Sequence, residues 1–591
     1  MAQSNFLTYG KKHQSTIVWI LCGAFVVLHF FTIVKYGRNF PYMDDMDATV
    51  RTAKSMYESS WADKVDLVFT RHNEHRIILN KGLDLLQLTL IGEVNIKHQL
   101  VIGNLFLLFI FLVTAFVYRK HVAKNWYFFL PAPLLIFSLK SYEAFIWPMV
   151  SIQTMGVISF ALVSFVILFK DEKMSWRRMA AAFFSAAVAT YACGNGFVTV
   201  LLCLTGLLIG KYPYKFAGAW FVLSIVLLTL YFHGHQQIPG HPDPWITILT
   251  DTHNLFGHFL VLLGNAYWLT GMFLLPVTLG AGFLTLSIVL YYFIPRQLYR
   301  INPVCFYFII FLLLSCAVTS LNRSGFGVHQ AFAVRYQIYS LLLALYIYFA
   351  LLSLLRDEAL LVAGIVVLAT LGSSLGYFYA RIFNLQPMED MSYSMDYGSY
   401  AYYTLGKPAF SYPDQNDALH LIREVDSLGI YFYPKINASD LASQARSLKV
   451  PEPIGTIKAA FEIEPDNDYL MIPNGWAFID GTDYNNMLTH VILRNKQRTL
   501  VYETHRKSRP DLSIEFSRNV DNSGFSLIVK KTDIPDGLYD FGFFIRKITP
   551  FATSKIAVQY EHRKLKKINN TFSWVETSRI SSIPAVNLGG I

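Results

Sequence analysis

The stretch IVWILCGAFVVLHFFTIVKYGRNFPYMDDMD, residues 17–47, places a long apolar run directly before three aspartates. The run is long enough to cross a bilayer, which takes about 20 predominantly apolar residues. Carboxylates at a membrane surface are costly unless they are solvated, paired or functional. The stretch therefore predicts a membrane helix followed by a polar loop that has a task of its own.

The whole chain has the composition of a membrane protein. Of its 591 residues, 53% are hydrophobic and only 15% are charged, whereas soluble domains carry about 25% charged residues. Basic cytoplasmic loops explain much of the net charge of +10, and no block of Lys and Arg interleaved with aromatic residues indicates a nucleic-acid partner. The five cysteines lie in or beside apolar runs, a pattern that predicts neither a disulfide framework nor a CxxC metal site.

The apolar runs predict a polytopic α-helical membrane protein with about eleven transmembrane helices. The first run lacks a small-residue cleavage signature, so we expect it to remain as an anchor. Segment 255–267 is apolar but short, and it is predicted to be interfacial or re-entrant. The predicted spans are 16–35, 98–118, 125–140, 150–169, 178–194, 196–210, 216–233, 268–293, 302–321, 336–355 and 358–378.

Basic residues predict the orientation of these helices. They recur between alternate pairs of spans, as at Lys11, Arg119, Arg178 and Arg356, and such residues concentrate in cytoplasmic loops. An odd number of spans then places the N-terminus in the cytoplasm and the C-terminal domain outside. The polar motifs, which do not enter this assignment, all fall on the extracytoplasmic face, where they indicate one active or binding site.

Composition divides the chain into three parts. Residues 1–380 form the predicted transmembrane domain, with an extracytoplasmic loop over 36–97. Residues 381–455 form a predicted linker with one short amphipathic helix that ends at Gly429. Residues 456–591 carry strand-like runs separated by turn signals, which predict an extracytoplasmic, β-sandwich-like domain.

The role of the β-rich domain has two interpretations. It could bind carbohydrate through Trp476 or Tyr539, or it could cap the membrane domain without contacting substrate. The runs that predict its strands are IKAAFEIE, GWAFIDG, THVILRN, RTLVYET, GFSLIVKKT and LYDFGFFIRK.

Asp44, Asp45 and Asp47 form the first candidate site. Neighbouring carboxylates near a bilayer suit two tasks: removing the proton of a sugar hydroxyl, or holding a divalent cation such as Mg or Mn against a phosphate. A neighbouring carboxylate raises the pKa of a carboxyl group, which favours a general base. A solvated loop without function is the alternative.

The segment RHNEHR, residues 71–76, is a second candidate. If it is helical, His72, His75 and Arg76 share one face. Arginine offers a fork of donors that matches phosphate oxygens, which favours an anion-binding cluster. The spacing is not HExxH, so zinc is disfavoured, and a solvated interfacial helix is the alternative.

Further motifs lie at other predicted span ends. NRSGFGVHQAFAVRY, residues 322–336, carries Arg323 and Arg335 and is predicted to contact phosphate, with snorkelling of Arg335 as the alternative. It matches neither GxGxxG nor a P-loop. SYEAFIWPMVSIQ combines aromatic, acid and amide side chains that suit a sugar, although interfacial tryptophans are also common. The histidine-containing loop after residue 232 is predicted to be a flexible lid.

Together these features resemble the GT-C superfamily of membrane glycosyltransferases: a first span, a loop that opens with DD, about a dozen spans and a soluble C-terminal domain. More narrowly, FTRHNEHR, SYEAFIWPMVSIQ, ACGNGF and NRSGFG…VRY resemble the bacterial Gtr-type glucosyltransferases that modify O-antigen and convert serotype. The resemblance covers roughly residues 15–380. The β-rich tail has no counterpart that we can match.

The resemblance implies transfer of a sugar, with glucose as the first candidate, from a polyprenyl-phosphate donor to an O-antigen-like polysaccharide. It implies inversion at the sugar and a general base at Asp44 or Asp45, and it leaves a DxD metal role open for Asp45 and Asp47. The implied donor-phosphate ligands are Arg71, His72, His75, Arg76, Arg323 and Arg335. The implied acceptor or sugar ligands are Glu74, Glu143, Trp147, Gln153 and Asn195.

The implied location is the bacterial inner membrane, with the site and the C-terminal domain in the periplasm. Two other functions stay open: a glycosyltransferase or polymerase acting on lipid A or another lipid-linked glycan, and a non-enzymatic transporter of lipid-linked sugars. A transporter predicts charges along both halves of the membrane. Here the polar motifs crowd one face, which favours an enzyme.

Overall fold

A computed structural model of the chain describes residues 2–123, 125–169, 173–210, 212–234, 243–267, 274–292, 295–446, 448–464, 466–482, 484, 487–507, 509–547 and 556–576. The chain divides into two compact units, Met1–Pro434 and Lys435–Ile591. This division falls within the predicted linker 381–455. Most of the predicted lid, residues 235–242, and the start of the predicted span 268–293 lie outside the described residues.

The described part of the chain contains eight helices that are long and apolar enough to cross a membrane, or nine if one bent pair counts as a single span. They identify the chain as a polytopic helical membrane protein, which confirms that part of the prediction. The bent pair turns through 109° and contains the segment predicted to be interfacial or re-entrant. The eight helices are Gln14–Tyr36, Ile96–Val122, Trp126–Ile146, Pro148–Leu168, Tyr214–Phe232, Pro303–Phe326, Val334–Leu354 and Ala359–Leu405, and the bent pair is Pro244–Thr250 with Thr252–Tyr267.

The total of eleven spans stays a prediction. Two of the predicted spans coincide with helices that fall short of a full crossing in length, Trp176–Ala192 and Gly194–Ile209. The described part of a third, 268–293, forms the helix Leu274–Tyr292. The remaining helices of the first unit are shorter and polar or amphipathic: Thr52–Glu58, Trp61–Phe69, Ile78–Leu90, Pro295–Ile301 and Gln415–Ser427.

The last long helix continues well past residue 380. Its α-helical part, Ala359–Tyr400, runs through Pro387 and buries most side chains after Met388. After a polar turn, the helix Gln415–Ser427 begins where the Asp414 carboxylate accepts the backbone N–H groups of two residues of its first turn. It ends before Gly429, whose φ of +68° suits glycine. This confirms the predicted short helix.

The segment RHNEHR is a β-hairpin, not a helix. Strands β1, Arg71–His72, and β2, His75–Arg76, pair antiparallel, so that Arg71 faces Arg76 and His72 faces His75. Asn73 in the turn has a φ of +52°, which asparagine tolerates better than most residues. The pairing replaces the shared helical face that the spacing predicted with cross-strand neighbours.

The second unit is rich in β-strands, as predicted. Its two antiparallel sheets have the strand orders β12-β11-β10-β6-β7-β3 and β4-β5-β9-β8. Side chains from both sheets share one hydrophobic core, as where the rings of Phe525 and Phe543 lie 5.7 Å apart. The strands are β3 Ala445–Arg446, β4 Ile457–Ala460, β5 Tyr469–Ile479, β6 Met487–Arg494, β7 Thr499–Glu503, β8 His505–Lys507, β9 Gly524–Lys530, β10 Gly537–Lys547, β11 Ile556–Ile568 and β12 Thr571–Glu576.

The two aromatic residues considered for carbohydrate binding are engaged inside this unit. Tyr539 is fully buried, and its hydroxyl donates to the carbonyl of Pro535 at 2.8 Å. Trp476 packs against the rings of Phe478 and Phe516, at 5.7 and 5.6 Å. These contacts favour a structural role for both residues.

Candidate active site

A cavity of about 330 Å³ lies where helix ends and polar turns of the first unit converge. It is bordered by the loop after the first membrane helix, by the β1–β2 hairpin and by the junction at Trp147. The turn at Gly194 and the segment between the helices that end at Arg323 and begin at Gln337 complete its wall. The predicted site residues that line it are Asp44, His72, Glu74, His75, Trp147, Gln153, Asn195, Arg323 and Arg335.

Of the three neighbouring aspartates, Asp44, Asp45 and Asp47, it is Asp44 that borders the cavity. Its backbone carbonyl accepts the N–H groups of Asp47 and Ala48, at 3.2 and 2.8 Å, which fixes the residue at the start of the helical turn Met46–Arg51. The side chain is half-buried, and within the described residues its carboxylate has no hydrogen-bond or ion-pair partner. This carboxylate is therefore available to a ligand in the cavity.

Asp45 is instead fully buried and anchors the loop. One carboxylate oxygen accepts the N–H of Tyr42 at 3.1 Å and the other accepts the N–H of Met149 at 3.0 Å. Burial raises the pKa of the Asp45 carboxyl to about 7, and the nearby Asp44 charge adds to the rise against the two N–H donors. Of the two acids predicted as a base, Asp45 joins the loop after the first membrane helix to the start of the helix Pro148–Leu168, whereas Asp44 borders the cavity.

The raised pKa of Asp45 predicts a pH-dependent stability. Because an unfolded aspartate titrates near 3.9, the folded protein binds this proton more tightly between about pH 4 and 7. Stability therefore falls as the pH rises through this window, by at most about 4 kcal/mol. We expect the thermal midpoint of the detergent-solubilised protein to fall from pH 5 to 8, and Asp45→Asn to flatten the slope. The exposed Asp66→Asn is the control, and an unchanged slope in Asp45→Asn would contradict the prediction.

Asp47 faces away from Asp45. Its carboxylate accepts a hydrogen bond from Arg51 Nε at 2.8 Å and another from the Tyr412 hydroxyl at 3.0 Å. The two acids suggested as a DxD pair thus bind different partners. Across the described ranges, no group of three or more His, Cys, Asp or Glu side chains is arranged to hold a metal ion.

Arg335 and Glu143 form a partly buried charge pair beside the cavity. The Arg335 guanidinium lies 3.7 Å from the Glu143 carboxylate, which also accepts the backbone N–H of Arg335 at 3.3 Å. The guanidinium carbon lies 5.7 Å from the ring centre of Trp147 and 5.0 Å from that of Tyr336. These aromatic contacts stabilise the cation, and Arg335 also lines the cavity.

Arg323 and Glu74 form a second pair, with 3.5 Å between guanidinium and carboxylate. Glu74 lies in the hairpin turn, so this pair ties the hairpin to the end of the helix Pro303–Arg323. Burial lowers the pKa of His72, which keeps the imidazole neutral at pH 7. His75 packs against Gly194, where an added Cβ would lie 2.5 Å from Nδ1 of the imidazole. Glycine at this position is therefore required for the close approach.

Arg71 and Arg76, predicted to bind phosphate, are used to cap a helix. Both guanidiniums donate to the carbonyl of Tyr231 at 3.1 Å, and both reach the carbonyl of His233, at 3.3 and 3.1 Å. These are the last carbonyls of the helix Tyr214–Phe232, which lack partners within the helix and attract cations through the helix dipole. The structure therefore assigns the two arginines to holding the hairpin against this helix.

Asn195 and Gln153 provide amide groups on the cavity wall. Asn195 donates from Nδ2 to the Tyr339 hydroxyl at 3.0 Å, while its buried Oδ1 has no hydrogen-bond partner in the described chain. Such a buried acceptor is costly unless a ligand satisfies it. Sequence reasoning missed Tyr336 and Tyr339, which also line the cavity. The helical spacing of Tyr339, four residues after Arg335, could have indicated that residue, whereas Tyr336, directly after Arg335, carries no such signal.

Comparisons of the chain with protein-family models, with curated proteins and with solved structures found no significant match. The similarity to Gtr-type enzymes therefore stays a hypothesis.

Proposed function

We propose that the chain is a membrane glycosyltransferase. It transfers a sugar, with glucose as the first candidate, from a polyprenyl-phosphate donor to a surface polysaccharide such as the O-antigen of lipopolysaccharide. The observation that carries the proposal is the cavity itself, in which an unpaired carboxylate, Asp44, shares a wall with Arg323 and Arg335. A base and a pair of cations are the groups that transfer from a phosphate-linked sugar requires.

In the proposed reaction, Asp44 accepts the proton of the acceptor hydroxyl. The resulting oxygen attacks the anomeric carbon from the face opposite the phosphate, which inverts the configuration. The bond between the anomeric carbon and the phosphate oxygen breaks, and its electron pair leaves with the polyprenyl phosphate. Arg335 and Arg323 stabilise the negative charge that develops on the leaving group, and the proton stays on Asp44.

The surroundings of the cavity suit a lipid-linked donor. Phe197 and Phe232 contribute to its wall, and the adjoining helix Tyr214–Phe232 exposes large apolar side chains such as Phe221 and Val222. On a helix long enough to cross a membrane, such a surface faces lipid. A polyprenyl chain can therefore lie in the bilayer while its phosphate reaches the two arginines.

The basic residues support a periplasmic position for the site. Trp147, on the cavity wall, directly precedes the helix Pro148–Leu168, and Arg178 donates to the carbonyls of Ile167 and Leu168 at the other end, each at 2.6 Å. Because basic residues concentrate on the cytoplasmic side, this contact supports a cavity on the opposite face. We infer a bacterial inner-membrane protein with a cytoplasmic N-terminus and a periplasmic second unit.

The surface polysaccharide of cells with and without the gene tests this proposal. Mass spectrometry and NMR of the purified polysaccharide should show one added hexose per repeat unit only in cells that express the protein. Expression of an Asp44→Asn variant at equal membrane abundance should give the unmodified polymer. A transporter would instead alter the amount or length of polymer without adding a sugar, and that outcome would overturn the proposal.

We expect EDTA to leave the transfer rate of the purified protein unchanged within about twofold. The physical reason is that the Asp45 and Asp47 carboxylates bind backbone N–H groups, Arg51 and Tyr412 in place of a shared cation. The measurement is the initial rate with 5 mM EDTA, roughly an excess over any carried-over divalent cation. A loss of transfer that Mg²⁺ or Mn²⁺ restores would show that a cation takes part.

A further inference from the structure

The segment that follows the last membrane helix contacts the aspartate loop at many points. We call residues 396–434 the strap and residues 38–54 the aspartate loop. At the near end of the loop, Arg38 Nε donates to both carboxylate oxygens of Asp396, at 2.7 and 2.8 Å. Both side chains of this pair are mostly buried, with 27% and 15% exposed, so the contact is shielded from solvent.

Further contacts follow on the far side of Asp44. The Tyr412 hydroxyl donates to Asp47 at 3.0 Å, and Arg51, which also binds Asp47, forms an ion pair with Asp417. Lys54 lies 2.9 Å from Glu424. The strap therefore contacts the aspartate loop on both sides of Asp44, the residue that borders the cavity.

The contact nearest Asp44 is made by a residue with unusual backbone geometry. Met43 has a φ of +49°, a conformation that costs a non-glycine residue of order 1 kcal/mol or more and persists only where surroundings enforce it. Its N–H donates to the carbonyl of Ser411 in the strap at 2.8 Å. Nearby, Phe40 stacks on Phe410, with ring centres 5.8 Å apart. The strap thus holds the backbone at Met43, which positions the next residue, Asp44.

We propose that the strap is a positioning element for Asp44, with Asp396, Tyr412 and Asp417 as its principal positioning residues. The inference rests on the proposed function, because it assigns the strap to the placement of the general base. None of these three residues is among the described residues that line the cavity. Their loss should therefore lower kcat while leaving the donor KM unchanged.

Two sets of full-length variants test the strap. Tyr412→Phe with Asp417→Asn removes the polar contacts to Asp47 and Arg51, and Arg423→Gln, an exposed position on the same helix, is the matched control. Asp396→Arg opposes two cations, and Arg38→Asp with Asp396→Arg restores an opposite-charge pair. All variants are compared at equal membrane abundance.

Hydrogen–deuterium exchange provides a readout that does not depend on activity. Amides 43–51 should exchange about tenfold faster in the Tyr412→Phe/Asp417→Asn variant, since the lost contacts favour local opening. The same variant should lose about tenfold in kcat, because a displaced base reacts poorly, with the donor KM within about twofold of wild type. The exchanged-charge pair should recover most of the kcat that Asp396→Arg loses.

The outcomes separate this inference from the proposed function. Wild-type exchange and wild-type kcat in both Tyr412→Phe/Asp417→Asn and Asp396→Arg, in a protein that Asp44→Asn inactivates, would overturn the strap alone. Faster exchange of the loop in a protein that transfers no sugar would support the strap as the element that holds Asp44 and would overturn only the proposed function.

Discussion

Asparagine in place of Asp44 is expected to lower kcat for sugar transfer by about 10³-fold, while the affinity for the donor stays within about threefold of wild type. The amide keeps the size of the carboxylate but cannot accept a proton, and general base catalysis contributes about 10²–10⁴-fold. Donor affinity is preserved because Arg323 and Arg335 keep their places on the wall. The measurement is the initial rate of transfer, combined with binding of the donor to the purified protein.

Two matched variants test whether the loss comes from the missing carboxylate at position 44. Asp66→Asn makes the same chemical change in the same extramembrane loop at an exposed position, and it should transfer sugar at the wild-type rate. Asp44→Glu keeps the carboxylate but shifts it by one methylene, and it should retain more activity than Asp44→Asn. Wild-type turnover in Asp44→Asn would remove Asp44 as the base.

Glutamine in place of Arg335 is expected to lower kcat by about 10²-fold. The guanidinium is held against Glu143 and between two aromatic rings, so it is preorganised to stabilise the leaving phosphate. Loss of one such preorganised donor costs about 10²–10³-fold in other enzymes. The measurement is kcat with a saturating donor, and Arg335→Lys should recover part of the loss because it restores the charge without the planar fork.

A second substitution separates catalysis from stability at this position. Arg335→Gln leaves the partly buried Glu143 carboxylate without its cationic partner, which destabilises the fold. Adding Glu143→Gln removes that uncompensated charge and should restore the thermal midpoint, but not the turnover. Recovery of full turnover in the double variant would mean that Arg335 serves only to neutralise Glu143.

The membrane helices and most strands of the second unit follow from the sequence because their patterns depend on local burial. All six runs predicted as strands lie within or overlap strands. The run IAVQYEHRKLKKI does not alternate between apolar and polar residues, since four of the five residues 563–567 are basic, yet it forms β11. Lys567 is buried there because Asp536 binds it at 2.9 Å. Asp536 is distant in sequence, so the pattern of residues along the strand does not reveal this contact.

The candidate site was predictable in part. Asp44 and Arg335 could be named because a charge at the end of an apolar span is unusual. Arg71 and Arg76 carry the same signal, but they cap a helix that begins more than a hundred residues later. The distinction between Asp44 and Asp45 depends on the N–H of Met149, a tertiary contact. Composition and spacing do not show whether a charged side chain contacts another part of the protein or a ligand.

We propose that this chain by itself transfers sugar from a lipid-linked donor. Proteoliposomes that contain only the purified protein, polyprenyl-phosphate glucose labelled in the sugar, and unmodified O-antigen acceptor test it most directly. We expect label to enter the polysaccharide at a rate proportional to the amount of protein. The anomeric configuration of the new linkage, α or β, should be opposite to that of the donor. If donor binding to the proteoliposomes is measured and saturating, label that stays on the donor would contradict the proposed transfer.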